Sequence, residues 1–379
     1  MSTIRFPFLD MNAVNAPYDE EIRRAVSRVI DSGRFVGGEE VENFERELVA
    51  IIRSPHVVGV SNGLDALRLI FKAYMIKGDL KPGDEVIVPA NTYIASILPL
   101  LEFGLVPVLA EPADDTLNLD TARLSEYLTA KTSAILPVHL YGRTVWDEKL
   151  VEFARANNLL IIEDNAQAIG AKSLTPGLNG SHHTGALGHA AAFSFYPTKN
   201  IGALGDAGAV STADEELASI VRALSNYGSD RRYHNIYAGY NCRLDPIQAA
   251  VLSVKLKGLD EECVARQERA ALYNQLIDNP LITKPLFAYD GTMVWHQYII
   301  RVDRRDEFRA MLAKEGVATD IHYATPPHLQ PCMSGVDHAP LPITERIADT
   351  VISLPVTRAT SLNDVRTIAE VVNSLKFRV

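Results

Sequence analysis

Four short stretches of this chain could carry chemistry. The first is Ser194-Phe195-Tyr196-Pro197-Thr198-Lys199-Asn200, which follows an apolar run and precedes a stretch of small residues, GALGDAGA. A lysine amine is a poor nucleophile at neutral pH unless its surroundings lower its pKa. Small neighbours leave room for a bulky group beside it. Taken alone, Lys199 reads more readily as a surface lysine in a loop. The second stretch, Leu159-Leu160-Ile161-Ile162-Glu163-Asp164-Asn165-Ala166-Gln167, puts Asp164 at the carboxyl end of an apolar strand. Ligands of open α/β sheets bind beyond such ends, and a carboxylate there can keep a ring nitrogen protonated. On its own, Asp164 reads equally as a helix N-cap.

The third stretch is Ser61-Asn62-Gly63-Leu64-Asp65. A small-residue turn that opens a helix presents backbone N–H groups to an anion, and the hydroxyl of Ser61 or Ser194 can add a donor. The competing reading is an ordinary capped turn. No Gly-x-x-x-x-Gly-Lys-Ser/Thr loop is present, and no Gly-x-Gly-x-x-Gly follows a strand. The fourth is Pro89-Ala90-Asn91-Thr92-Tyr93, where Tyr93 could stack on a flat ring or simply pack at a strand–helix junction. One cofactor uses a phosphate cradle, a stacking aromatic, a carboxylate for a pyridine nitrogen and a lysine for an aldehyde. That cofactor is pyridoxal 5′-phosphate, and the four signals together point to it more strongly than any one does.

The elements that must position these residues alternate. Val41, Phe44, Leu48 and Ile51 recur at helical spacing over 39–52, with glutamates on the other face. Strands are expected at His56 to Val60, in GDEVIVPA ending near Pro89, in VPVLAE, at Ser133 to His139, Leu159 to Glu163, Ala190 to Tyr196 and Ala209 to Thr212. Helices are expected at Leu64 to Tyr74 and Ile94 to Phe103. Alternation of this kind predicts an α/β domain with a mostly parallel sheet flanked by helices. From Asp260 the texture changes: a charged helix over 260–277, a Pro/Gly stretch from Asn279 to Gly291, a strand Val294 to Val302, a helix Asp306 to Glu315, a strand Val317 to His322, a proline-rich loop over 323–342 and a helix Asn363 to Leu375. The expected division is a large domain over 1–256, including an N-terminal arm, and a smaller α+β domain over 257–379.

Composition sets the bounds. A chain of 379 residues with 47% apolar and 22% charged residues is an ordinary globular protein of two or three domains. Its net charge of −10 argues against nucleic-acid or acidic-membrane partners. Cys242, Cys263 and Cys332 have neither metal-ligand spacing nor an even count, so no metal site is expected and a reducing cytoplasm is the simplest setting. The amino-terminal sequence MSTIRFPFLDMN does not read as a signal peptide, and no apolar run is long enough to span a membrane.

With these residues in view, the sequence resembles the sugar aminotransferases of fold type I, the DegT/DnrJ/EryC1/StrS-type family, which act on nucleotide-linked keto-sugars. The resemblance covers nearly the whole chain. It rests on FVGGEEVENFE, VSNGLDALRL, GDEVIVPANTYIAS, PVHLYG, IIEDNAQAIGA, AAFSFYPTKNIGALGDAGAV, GYNCRLDPIQAAVL and IHYATPPHLQ, in that order. Through YGSDRRYHNIYAGYNCRLD and HYATPPHLQ it is most similar to enzymes that aminate C3 of dTDP-3-oxo-6-deoxyhexoses.

The resemblance implies an aspartate aminotransferase-like fold and assigns roles. Lys199 becomes the Schiff-base lysine and moves the proton, while Asp164 pairs with the pyridine nitrogen. Gln167 lies near the ring hydroxyl, Tyr93 stacks on the ring, and Ser194 with the backbone of Asn62 and Gly63 holds the phosphate. Asn241 would reach the phosphate of a neighbouring subunit's cofactor, which implies a homodimer with shared active sites. Arg231, Arg232, Arg243 and Lys255 are candidate countercharges for a nucleotide diphosphate, and His234, His322, Tyr323 and His328 candidate sugar-pocket residues. For each of these, a solvated loop or core role competes. Leu64 departs from the family's commoner threonine. A subset of the family carries histidine in place of the lysine and dehydrates sugars; this chain keeps lysine and should transaminate.

The resulting expectation is transfer of an amino group from L-glutamate to a nucleotide-linked keto-sugar for polysaccharide or lipopolysaccharide precursors. The alternatives are C4 amination of a UDP-, GDP- or dTDP-4-oxo sugar, another enzyme of this fold such as a desulfurase or lyase, a non-catalytic cofactor-binding regulator, and a structural or interaction protein.

Overall fold

The computed structural model describes residues 4–377. A central sheet is built from β1 (His56–Val60), β2 (Glu85–Pro89), β3 (Val106–Ala110), β4 (Thr132–Ile135), β5 (Leu160–Asp164), β6 (Ala190–Ser194) and β7 (Gly208–Thr212). Their spatial order is β1-β7-β6-β5-β4-β2-β3. β7 runs antiparallel to β1 and β6, and every other pairing in the sheet is parallel. All strands but β7 therefore present their carboxyl ends at one edge. In open sheets, that edge is where ligands bind.

Strand side chains alternate between faces, and the packing follows that period. Val58, Val60, Val86, Val88, Ile162, Ala190, Ala192 and Val210 join one core, with helices Gly63–Lys77 and Glu215–Ser225. Their neighbours go to the other face. Val57, Ala191, Phe193 and Ala209 pack with helices Glu39–Ile52 and Pro246–Leu256, and Ile87, Ile135 and Ile161 pack with helix Glu148–Ala156. Helices on both faces explain why the strands read as nearly continuous apolar runs.

A second core gathers Ala270, Tyr273, Trp295, Tyr298, Phe308, Val351, Ile368 and their neighbours. It surrounds β10 (Tyr298–Arg301) and β11 (Val351–Leu354), which pair antiparallel. Between the two sheets in sequence lies a short exposed hairpin, β8 (Ser229–Arg231) and β9 (His234–Asn235). The second core also takes Phe6, Leu117, Val138, Leu140 and Tyr141 from the first part of the chain. The N-terminal arm is thus bound to the C-terminal unit: Arg5 and Phe6 donate backbone bonds to Gly316, and Ala318 donates to Phe6.

Several expected elements differ. The helix expected over 94–103 is a 3-10 turn, Ile94–Ser96, followed by a short helix, Leu98–Glu102. Pro99 has no N–H to continue a single helix through this segment. The strand expected at 294–302 shrinks to β10. Val294 and Gln297 instead donate to Gly142 and Tyr141, and Trp295 takes a left-handed φ of 51°. The strand expected at 317–322 is an extended segment with only isolated bridges, Phe6 to Val317 and Asp320 to Ser353. The proline-rich loop ends in an unexpected helix, Pro342–Thr350, with its proline in the first turn. Glu111 caps that helix from the end of β3, accepting from the N–H groups of Ile343 and Thr344 at 2.8 and 2.9 Å.

Candidate active site

The register of the sheet brings the chemical residues together. Asp164 pairs across to Ala192, and Ser194 to Gly208, so both end their strands at the same edge. Asp164 is 7% exposed. Its Oδ2 accepts from Ser96 Oγ at 2.7 Å and its Oδ1 from the N–H of Ala166 at 3.1 Å. Thr92 Oγ1 lies 2.8 Å from Ser96 Oγ. This carboxylate is held rigidly rather than capping a helix.

Lys199 stands on a tight loop after β6. Its own N–H donates to Tyr196 O, and the N–H of Ala203 donates to Phe195 O. A side chain at Gly202 would collide with Pro197 O at 2.2 Å, so the loop requires glycine there. Burial pushes the Lys199 amine down to about 8, and the charge of Asp164 partly counters it. A lysine in that range is nucleophilic near neutrality and can act as acid and base in turn. Two neutral histidines share its surroundings. His296 is held well below its usual value by burial first and then by the charge of Lys199. His322 is pushed down to about 4 by burial, with Asp320 opposing and Lys199 contributing.

Asn62, Gly63 and Ser194, the residues expected to cradle an anion, lie together. Asn62 caps helix Gly63–Lys77, accepting from the N–H of Asp65 at 2.8 Å. A Cβ at Gly63 would lie 2.8 Å from the Ser194 Cβ, and a Cβ at Gly208 would lie 2.4 Å from the Asn62 carbonyl carbon. These glycines bring Ser194 against the positive end of the helix. Ser61 Oγ donates to Asp65 Oδ2 at 2.5 Å, so that hydroxyl serves the cap.

Gln167 closes the site on the C-terminal side. Its Oε1 accepts from the N–H of Tyr141 at 2.6 Å, and its Nε2 donates to Tyr323 OH at 3.0 Å. The Tyr323 ring lies 5.1 Å from that of Tyr93, which is 52% exposed and offers a free aromatic face. Tyr141 OH donates to the carbonyl of His322 at 2.6 Å, and His322 Nδ1 is 2.7 Å from Ser353 Oγ.

Other candidates lie elsewhere on the chain. Asn241 is exposed. Arg231, Arg232 and His234 are exposed on the β8–β9 hairpin, where His234 Nδ1 is 2.6 Å from Asp230 and Tyr233 is 88% exposed. Arg243 donates to Asn226 at 2.6 Å and lies over the Tyr227 ring. His328 is enclosed, with Nε2 3.2 Å from Glu345. Lys255 is not a countercharge for substrate: it is 3% exposed and its amine donates to Gly202 O at 2.6 Å, pinning the Lys199 loop. All three cysteines are free. Sequence reasoning missed Ser96, Tyr141 and His296. Only the Thr92-to-Ser96 spacing of four gave any signal.

The sequence pattern of the DegT/DnrJ/EryC1/StrS aminotransferase family matches residues 17–373. The chain belongs to that family. This aminotransferase is 45% identical over 367 residues to dTDP-3-amino-3,6-dideoxy-alpha-D-galactopyranose transaminase of Aneurinibacillus thermoaerophilus, covering 97% of this chain and 98% of that one. Among solved structures, DesV of S. venezuelae superposes with a TM-score of 0.91 at 42% identity, covering 98% of both chains. The structure of ntda from Bacillus subtilis with bound cofactor PMP superposes with a TM-score of 0.88 at 28% identity, covering 99% of this aminotransferase and 86% of that chain. Its fold is thus that of the family's enzymes. Among its described residues, no helix is long and apolar enough to cross a membrane.

Proposed function

We propose that this aminotransferase uses pyridoxal 5′-phosphate to move the amino group of L-glutamate onto C3 of a dTDP-linked 3-oxo-6-deoxyhexose. The observation that carries the reading is the pairing of Lys199, its amine pushed down to about 8, with a buried Asp164 fixed at the same sheet edge. Similarity to the A. thermoaerophilus transaminase supports C3 and the dTDP carrier.

The residues fit the cofactor. Ser194 and the first turn of helix Gly63–Lys77 suit a phosphate, Tyr93 offers a face for a ring, and Asp164 suits a pyridinium nitrogen. Bound there, the cofactor supplies an aldehyde that bonds to amines and a protonated ring that accepts electrons from the bond being broken. With it bound, Lys199 would hold the aldehyde and, once released as a free amine, would be the group that takes up and returns a proton. Asp164 keeps the ring nitrogen protonated. Gln167 Nε2 donates one N–H to Tyr323 OH and has a second that would suit the ring hydroxyl. Neutral His296 and His322 add no competing positive charge beside Lys199.

The substrate-binding assignment extends the reading to two copies. Arg231, Arg232 and His234, together with Asn241, are exposed, as is Tyr233 on the same hairpin, which leaves them free to meet a second subunit. The chain then acts as a homodimer with shared sites. Arg243, His322 and Tyr323 complete the sugar side; His328, with no exposed side-chain surface and its Nε2 3.2 Å from Glu345, is left out of it. The division into 1–256 and 257–379 is part of the same reading: most of the second core comes from 257–379, although Phe6, Leu117, Val138, Leu140 and Tyr141 join it, and Met333 and Leu341 join the first.

The test is a two-step assay. Enzyme loaded with glutamate and freed of it is offered dTDP-3-oxo and dTDP-4-oxo 6-deoxyhexoses. Amino-sugar should form from the 3-oxo compound with at least ~100-fold preference, a discrimination within reach of polar groups built around one carbonyl. Preference for the 4-oxo sugar, or amination of neither, overturns the substrate assignment.

A further inference from the structure

Glu163 and His139 are both fully buried beneath the site, and neither enters the chemistry above. β5 sends Asp164 to the site and its neighbour Glu163 to the opposite face, where the carboxylate collects donors. Oε1 accepts from the N–H groups of Leu187 and Gly188 at 2.8 and 2.9 Å. Oε2 accepts from the N–H of Gly185 at 2.8 Å and lies 2.9 Å from His139 Nε2. The other ring nitrogen settles the direction of that last bond. The N–H of Val145 donates to His139 Nδ1 at 3.0 Å, so Nδ1 bears the lone pair and Nε2 carries the proton that Glu163 accepts.

His139 is held through its backbone as well: its N–H donates to Asp164 O at 3.1 Å, while the N–H of Asp164 donates to Pro137 O at 2.9 Å. Two residues further on, Tyr141 takes a left-handed φ of 61°. In that conformation its N–H meets Gln167 Oε1, at 2.6 Å. The bond orients the amide with its oxygen toward Tyr141 and its NH2 toward the site, where one N–H meets Tyr323 OH at 3.0 Å. Gly142 follows with φ 88° and no room for a side chain, since a Cβ there would lie 2.8 Å from the His296 nitrogen. The ring of His139 bonds to Glu163 and Val145, so any effect on Gln167 passes through Tyr141.

We propose that His139, oriented by Glu163, is the positioning residue that sets the Gln167 amide with its NH2 directed at the cofactor ring. This rests on the cofactor reading above. Without the Glu163 bond the 139–142 turn keeps its backbone bonds but loses its side-chain anchor, the Tyr141 N–H shifts, and the Gln167 amide is freed to turn its oxygen toward the ring hydroxyl.

Two substitutions separate the contacts. His139→Asn keeps an acceptor near Nδ1 but is too short to reach Glu163. His139→Gln keeps a donor near the Nε2 position. The measurement is the dissociation constant of added pyridoxal 5′-phosphate, by fluorescence, for each variant in wild-type and Gln167→Ala backgrounds. His139→Asn should weaken binding about tenfold in the wild-type background, the worth of one buried hydrogen bond, and within about twofold in the Gln167→Ala background. His139→Gln should stay within about twofold of wild type. An equal loss in both backgrounds shows general loosening and overturns the proposal, as does no loss at all. If His139→Asn does not fold, Glu163→Gln takes its place: a loss confined to the wild-type background supports the proposal, and an equal loss in both backgrounds, or none, overturns it. A wild-type protein that takes up no pyridoxal phosphate instead overturns the cofactor reading.

Discussion

Ser96 and Asp164, 68 residues apart in sequence, meet with the serine hydroxyl donating to the carboxylate at 2.7 Å. Thr92 stands 2.8 Å behind the serine. The segment that carries Tyr93 therefore also steadies the carboxylate, so the proposed stacking face and the proposed ring-nitrogen partner are placed by one piece of backbone. Ser96→Ala removes a bond to a charged acceptor, worth about 1.5–3 kcal/mol. Steady-state kinetics should show kcat down about tenfold or more, with KM for glutamate little changed. An unchanged kcat would show that Asp164 needs no such support.

Lys199 predicts a pH profile. Its amine is pushed down to about 8 by burial, against the opposing charge of Asp164. The reactive form is unprotonated, so the rate at which cofactor-free protein takes up pyridoxal phosphate should rise with pH through about 8 and level off above it. Asp164→Asn removes the charge that holds this value up, so the midpoint should move to lower pH. Turnover should nevertheless fall, by on the order of 10²-fold or more, because ring protonation is lost. A midpoint that moves up contradicts the arrangement.

Gly63 predicts a separation of cofactor binding from folding. A Cβ at this position would lie 2.8 Å from the Ser194 Cβ. Gly63→Ala should push the serine from the helix end and weaken pyridoxal phosphate about tenfold, roughly one charge-assisted contact. The melting temperature of cofactor-free protein should change by only a few degrees, roughly what ~1 kcal/mol moves a domain of this size.

Asn241 predicts complementation between subunits. Lys199→Ala alone and Asn241→Ala alone should each be strongly impaired. When the two are mixed and allowed to exchange, each heterodimer regains one intact site, because its lysine and asparagine come from different subunits. Recovered activity in the mixture is the expected result. Activity no higher than the sum of the parents would mean that each chain builds its own site.

The sheet was legible because buried parallel strands are apolar throughout, and the candidate cofactor residues drew notice because they stand just past the strand ends. Helix 39–52 and strand 56–60 match the sequence expectation to the residue. The C-terminal unit was harder to read. Val317 to His322 has strand composition, but its backbone partners are Phe6 and Ser353, far away in sequence. Pro342 looked like loop punctuation and instead opens a helix whose cap, Glu111, lies 232 residues from Ile343. Lys255 was misjudged because a lysine in sequence reads as exposed charge, whereas this one is sealed under the Lys199 loop. His139 and Glu163 gave no local signal, since their meaning lies in bonds across three segments.

The most direct test of the account is the visible spectrum of the purified protein supplied with pyridoxal 5′-phosphate, before and after glutamate. A yellow band that persists through desalting, bleaches on glutamate with one equivalent of 2-oxoglutarate per subunit, and fails to bleach in Lys199→Ala is the predicted result. A protein that retains no band, or a band that glutamate leaves untouched, contradicts it.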